Sequence, residues 1–131
     1  MTDQELVERA FAMHQFSYAP YSKFPVGAAL LCEDGTVFTG CNVENAAFGS
    51  TLCAERTALL KAVSEGHRED WEAIAIAGQG ADYCWPCGAC RQMLYEFAPG
   101  LRVLAARSDG AFREAVLSGL LPHAFGPESL G

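Results

Sequence analysis

The chain has 131 residues, half of them hydrophobic, and a net charge of −7. That length suits one domain over residues 1–131, able to bury roughly two-thirds of the surface its unfolded chain exposes. The acidic balance counts against a polyanionic partner such as tRNA or DNA, which needs a basic face, and leaves a small polar substrate as the better fit.

Taken in chain order, Thr2-Asp3-Gln4-Glu5 has the form of a capping box, and Leu6, Ala10 and Met13 recur at helical spacing with Phe11 or Phe16, predicting a helix up to about Ser17. Pro20 stops it. Tyr18 to Lys23 is a turn-rich loop into a first strand over Phe24–Leu31, and Glu33-Asp34-Gly35-Thr36 turns the chain into a return strand over Val37–Val43. So short a connection requires antiparallel pairing, and it delivers Asn42 and Glu44 to the sheet edge. After a loop at Gly49-Ser50-Thr51, Ala54, Ala58, Leu59, Ala62 and Val63 mark an amphipathic helix to about Gly66, with Cys53 at its N-terminus. Trp71–Ala77 alternates as a buried strand, and the helical crossover into it predicts parallel, right-handed pairing. A third helix opens at Cys87 and ends before Pro99-Gly100. Leu101–Arg107 reads as a strand and Ser108-Asp109-Gly110 as a turn, while Ala111 to about Val116 fits either a fifth strand or a helix. The tail from Leu120 to Pro127 is apolar for a terminus, so it is expected to pack on something.

No run approaches the roughly 18 apolar residues of a membrane span, and the acidic, amphipathic start Met1–Glu5 is unlike a signal peptide, so a cytoplasmic protein without a membrane partner is expected. In a reducing compartment the six cysteines point to metal or catalysis rather than disulfides. Cys53 and the pair Cys87 and Cys90 stand out. Cys87 and Cys90, three apart at a helix start, share a face, and Cys53 at another helix start meets them if the two N-termini converge. Three thiolates hold zinc with the fourth tetrahedral position open to water, which separates catalytic from structural zinc. Glu55, two residues after the first ligand, is placed to move that water's protons. Three thiolates leave the ion with a net charge of about −1, to be offset by the helix dipoles and by Arg56 or Arg91, of which Arg56 is the favoured partner for the sulfurs.

The blocks Asn42-Val43-Glu44-Asn45-Ala46, Cys53-Ala54-Glu55-Arg56-Thr57-Ala58 and Pro86-Cys87-Gly88-Ala89-Cys90-Arg91-Gln92 resemble the signature of the small homotetrameric cytidine deaminases, with Phe24–Leu30 and Phe125-Gly126-Pro127 adding to it. The likeness runs over nearly the whole chain. It implies an α/β, three-layer fold, a mixed five-stranded sheet flanked by helices, and one zinc ion per subunit. It also implies hydrolysis of cytidine or deoxycytidine to the uridine product plus ammonia, in pyrimidine salvage. By the same resemblance Glu55 passes a proton from the attacking water to ring N3 and a second to the departing amine, the Trp85 carbonyl holds that amine, and the Ala54 N–H fixes the pyrimidine carbonyl. Asn42 and Glu44 then meet the ribose hydroxyls, Phe24 lies against the nucleoside, and Phe125 reaches a neighbouring subunit's base, so active sites are shared within a homotetramer. Phe48 stands where the family usually has tyrosine, and Trp85 where a small hydroxyl residue usually precedes the proline.

Other readings weigh against these. A structural zinc module predicts a closed four-ligand site and gives no reason for Glu55; the nearer rival is a deaminase or amidohydrolase of a modified cytosine, such as an N4-substituted nucleoside, over which the pair Asn42 and Glu44 favours the plain nucleoside. Cys32 and Cys41 sit in strand patterns and read as buried small thiols. Cys84 makes Cys-x-x-Cys-x-x-Cys with Cys87 and Cys90, but Leu94 occupies the next ligand position of an iron–sulfur run. His14, His67 and His123 fall outside the ligand constellation and read as ordinary surface or core histidines.

Overall fold

Helix α1 (Asp3–Ala12) starts where the capping box requires, with the Glu5 N–H donating to Thr2 Oγ1 at 3.1 Å and the Thr2 N–H to Glu5 Oε1 at 2.9 Å. One 3-10 turn, Met13–Phe16, continues it, so the helical stretch ends next to the predicted Ser17. A computed structural model describes residues 1–130. Strands β1 (Val26–Cys32) and β2 (Val37–Cys41) form the expected antiparallel hairpin, followed by helix α2 (Ala54–Ser64), strand β3 (Trp71–Gly78) and helix α3 (Gly88–Phe97). Strands β4 (Arg102–Ala106) and β5 (Phe112–Val116) pair antiparallel, and short helices α4 (Leu117–Leu120) and α5 (Pro127–Leu130) complete the order.

The sheet is mixed and five-stranded in the order β2-β1-β3-β4-β5. One expectation is corrected here. The second and third strands run in the same direction but do not pair, because β1 lies between them and is antiparallel to both. The parallel, hydrogen-bonded pair is β3 with β4, joined through α3. Residues 112–116, open between strand and helix in the sequence, form an edge strand whose charged Arg113 and Glu114 face solvent, a composition that discourages edge-to-edge association.

Helices cover both faces. Leu30, Ile74, Ile76 and Val103 meet Ala58, Leu59, Leu94 and Leu117 on one side, while Leu6, Val7 and Ala10 of α1 meet Ala29, Ala73, Ala75 and Ala77 on the other. Each fully buried Leu or Val contributes about 1.5–3 kcal/mol by leaving water. At Gly40 a Cβ would stand 2.5 Å from the Ala54 carbonyl oxygen, so the missing side chain lets the first turn of α2 rest on the end of β2. Among the described residues no helix is long and apolar enough to cross a membrane.

Candidate active site

Because β2 and β3 point the same way, their C-terminal ends and the start of β1 meet at one edge, with Gly27 opposite Cys41 and Val26 opposite Gly78. Both helices that begin beyond this edge start at a cysteine. Cys53 is the N-cap of α2 and Cys87 the N-cap of α3, each with an extended backbone and neither with a side-chain capping bond. Before Cys53, Val43 and Leu52 exchange backbone N–H···O bonds of 2.9 Å, anchoring the loop to the end of β2. The Thr57 hydroxyl then reaches the Cys41 carbonyl at 3.0 Å and the Cys53 carbonyl at 3.3 Å, a stitch the sequence reading passed over although Thr57 lies inside the Cys53–Ala58 block.

The sulfurs of Cys53, Cys87 and Cys90 lie within 4.8 Å of one another, and Cys87 and Cys90 are 3.5 Å apart. Thiolates at about 2.3 Å from a tetrahedral zinc stand about 3.8 Å from each other, so the donor set fits that ion in chemistry and in size. The hydrogen bond with Cys90 lowers the Cys53 pKa to about 6 against the effect of burial, with Arg56 and Cys87 helping, and the same bond, together with burial, pushes the Cys90 thiol up. Burial works against the Arg56 charge, but the sulfurs of Cys90, Cys53 and Cys87 outweigh it and its pKa rises. Arg56 Nε is buried with no partner among the described residues, whereas Arg91 is occupied by the carbonyls of Pro86 at 2.7 Å and Leu120 at 2.9 Å. Of the two arginines, Arg56 is the one left facing the sulfurs.

Glu55 is 5% exposed in the first turn of α2. Burial raises its pKa to about 7, partly offset by its own backbone N–H, and the Cys53 charge adds to the rise. A carboxyl with that pKa gives and takes protons with similar ease near neutrality. It borders a cavity of about 200 Å³ that Val26, Asn42, Cys53, Ala54 and Trp85 also line. An adjoining cavity of about 440 Å³ shares Thr51 with the first and is lined by Tyr21, Ser22, Glu44 and Phe48.

Asn42 is buried and largely engaged within the chain. Its Oδ1 accepts from the Val26 N–H at 2.9 Å and from the Ser17 hydroxyl, and its Nδ2 donates to the Phe24 carbonyl at 2.9 Å. What remains for a ligand is one amide N–H. The Glu44 carboxylate accepts from the N–H groups of Tyr21 at 2.9 Å and Ser22 at 3.1 Å and from the Ser22 hydroxyl, and the Ser22 bonds lead in holding its pKa below the usual value. Ser17, Ser22 and Tyr21 were missed in the sequence, where Ser17 read only as the end of the first helix and the other two as part of a turn-rich loop. The Phe24 ring packs over Gly78 and Gly80 at the end of β3 rather than lining the cavity. Phe125 is 60% exposed and is held beside α3 through its carbonyl, which accepts from Gln92 Nε2 at 2.8 Å.

Three thiols from two uncapped helix starts, beside a buried carboxyl on a mixed five-stranded sheet, define the class as zinc-dependent hydrolases. Residues 1–106 match the family model described as the cytidine and deoxycytidylate deaminase zinc-binding region, and the chain belongs to that family. It is 46% identical to the cytidine deaminase of Sporosarcina psychrophila, over 99% of this chain and 96% of that one. Among solved structures it is similar to the cytidine deaminase of Burkholderia pseudomallei, with a TM-score of 0.92, 48% identity and coverage of 95% of this chain and 100% of that one. It is also similar to the cytidine deaminase of Mycobacterium tuberculosis, with a TM-score of 0.82, 39% identity and coverage of 96% and 99%.

Proposed function

We propose that this chain, as a single domain over residues 1–131, hydrolyses cytidine and deoxycytidine to uridine and deoxyuridine plus ammonia, serving pyrimidine salvage in the cytoplasm. The observation that carries the reading is Glu55, a buried carboxyl with a pKa near 7, two residues from a cysteine whose sulfur meets two others. Cys53, Cys87 and Cys90 hold the zinc ion, which supplies a Lewis acid that makes water nucleophilic near neutral pH. Glu55 takes the proton of the attacking water, hands it to ring N3 and then delivers a second proton to the amino group as it leaves C4. Nucleobase deaminases with such a site use a non-ligating glutamate in this way, because a basic amine departs poorly unless protonated. Arg56 and the two helix N-termini offset the excess negative charge of three thiolates.

The Trp85 carbonyl accepts from the leaving amino group, and the Ala54 N–H, unpaired within its helix as a first-turn donor, holds the pyrimidine carbonyl. Asn42 offers its remaining N–H, and Glu44 its acceptor oxygens, to the ribose hydroxyls. Phe24 is assigned to the nucleoside by the family resemblance alone, since its ring sits on Gly78 and Gly80 outside the cavity lining. Phe125, exposed on its own chain, stacks on the base held by a neighbouring subunit of a homotetramer, so each site needs more than one chain. Phe125→Ala is therefore expected to raise KM without removing zinc, as read by steady-state kinetics and metal analysis.

The decisive experiment follows the near-ultraviolet absorbance of cytidine with the wild-type protein and with Glu55→Ala, zinc content measured in both. The reading expects the cytidine band to disappear with wild type and to persist with a zinc-replete Glu55→Ala. Zinc-loaded wild type that leaves both cytidine and deoxycytidine intact would reject the nucleoside assignment and direct the search to modified cytosines.

A further inference from the structure

A second group of metal-binding side chains sits at the end of the sheet opposite the candidate active site. Cys32 closes β1, Asp70 precedes β3, and His67 lies in the turn after α2. Long-range register brings them together. Cys32 pairs with Trp71, the Glu33 N–H donates to the Asp70 carbonyl at 2.7 Å, and the Trp71 indole N–H donates to the His67 carbonyl at 2.9 Å. As a result one donor atom from each of Cys32, His67 and Asp70 falls within 4.8 Å of the other two.

Two further observations distinguish this group from a chance meeting. Asp70 Oδ2 contacts His67 Nδ1 at 2.8 Å, but the other carboxylate oxygen, Oδ1, is buried with no partner among the described residues. Buried polar atoms are seldom left so, and such an exception asks for an ion or other ligand. Cys32 is fully buried, and its thiol is pushed up to about 12 by burial first and then by the charges of Asp70, Asp34 and Glu33. Negative potential therefore surrounds a soft donor. The Phe38 ring meets the His67 ring edge-on at 5.1 Å and gives the group an apolar wall, while a cavity of about 330 Å³ lined by Gly66, Arg68, Glu69 and Asp70 borders it on the solvent side.

We propose that Cys32, His67 and Asp70 form a second divalent-metal site, taking an ion of the zinc or cobalt type through the thiolate, an imidazole nitrogen and a carboxylate oxygen, with solvent completing the coordination. One sulfur, one nitrogen and one oxygen suit such borderline ions and disfavour magnesium and calcium, which prefer oxygen alone. Binding breaks the Cys32 S–H bond, forms a sulfur–metal bond and releases that proton to solvent, and it also requires the neutral imidazole of His67, whose pKa the Asp70 hydrogen bond raises, so loading rises with pH through both groups. The ion ties the end of β1, the turn after α2 and the start of β3, and its effect falls on stability rather than turnover.

The test loads the protein with its catalytic zinc, adds Co²⁺, and follows sulfur-to-cobalt charge-transfer absorbance together with zinc and cobalt content per chain. Wild type is expected to keep its zinc and take up one further equivalent of cobalt with the sulfur band. Cys32→Ala should lose both band and equivalent, and the partly exposed His67→Gln and Asp70→Asn should lose the equivalent, all with zinc retained. The His67 and Asp70 variants, at half-buried positions, carry the test should Cys32→Ala fail to fold. Wild type that takes up no cobalt beyond its zinc, or a band that survives in all three variants because cobalt has displaced zinc, overturns the proposal. Stoichiometry rather than turnover is the readout, so the result stands apart from the proposed reaction.

Discussion

On one face of the sheet β3 presents Ala73, Ala75 and Ala77 to α1, and on the other it presents Ile74 and Ile76 to α2 and α3. The small residues let α1 come so close that a Cβ on Gly27 would stand 1.8 Å from the Ala10 carbonyl oxygen. The helix starts differ in the same sense. α1 begins with two of its orphan N–H groups satisfied through the Thr2 and Glu5 side chains, whereas α2 and α3 begin at cysteines that cap nothing. A helix N-terminus left without a cap forgoes about 1 kcal/mol; the short α4 is also uncapped, but of the longer helices α2 and α3 go without one, and these converge on the sulfurs. The α1 face is built for adhesion and the α2–α3 face gives up local stability for chemistry.

That contrast can be broken or sharpened by substitution. Glu55→Gln should lower kcat by roughly 10²–10⁴-fold, equivalent to about 2.7–5.4 kcal/mol of transition-state stabilisation, while chemical denaturation shows no loss of stability, since the exchanged group is a buried carboxyl. A variant as active as wild type would remove Glu55 from the chemistry. Leu6→Ala, in the core under α1, should cost about 2–5 kcal/mol in urea unfolding and leave zinc content and kcat of the folded protein unchanged. A loss of zinc there would couple the two faces. Gly27→Ala should destabilise by about 1–3 kcal/mol, since α1 must move outward to admit the methyl group, again with turnover per folded chain preserved. Thr2→Ala should cost about 1 kcal/mol through the lost cap and nothing in metal affinity, as metal titration would show.

The smallest effect concerns the edge strand. Arg102 bonds Glu114 at 2.9 Å and Asp3 at 2.6 Å, and its hydrogen bond holds the Glu114 carboxyl below its ordinary value of 4.5. A depressed folded-state pKa means stability that is present above that value and lost as pH falls through the folded one. The pair is partly exposed, so the contribution is about 0–1 kcal/mol. Comparing urea midpoints of wild type and Glu114→Gln across acidic pH should show the difference closing as the pH drops, and a difference that grows instead would reverse the assigned sign.

Much of this could be read along the chain because the signals are local. A capping box spans four residues, an amphipathic helix repeats every turn, and Cys87 with Cys90 share a face through helix geometry alone. Cys53, Glu55 and the start of α2 follow in the same way, so the candidate ligands and the neighbouring carboxyl were legible, while the convergence that gathers the three sulfurs was only a condition of that reading. What depends on register was not. β1 inserts between two strands expected to pair, and residues 112–116 become a strand only because β4 offers them a ladder. Asn42 looks free to meet a ligand from its sequence, yet Val26, Phe24 and Ser17 claim most of its hydrogen-bonding capacity. Cys32 and His67 read separately as a core thiol and an ordinary histidine. Only the pairing of β1 with β3 sets them beside Asp70, because residues nearly forty positions apart meet through packing and strand register rather than through any pattern that one segment carries alone.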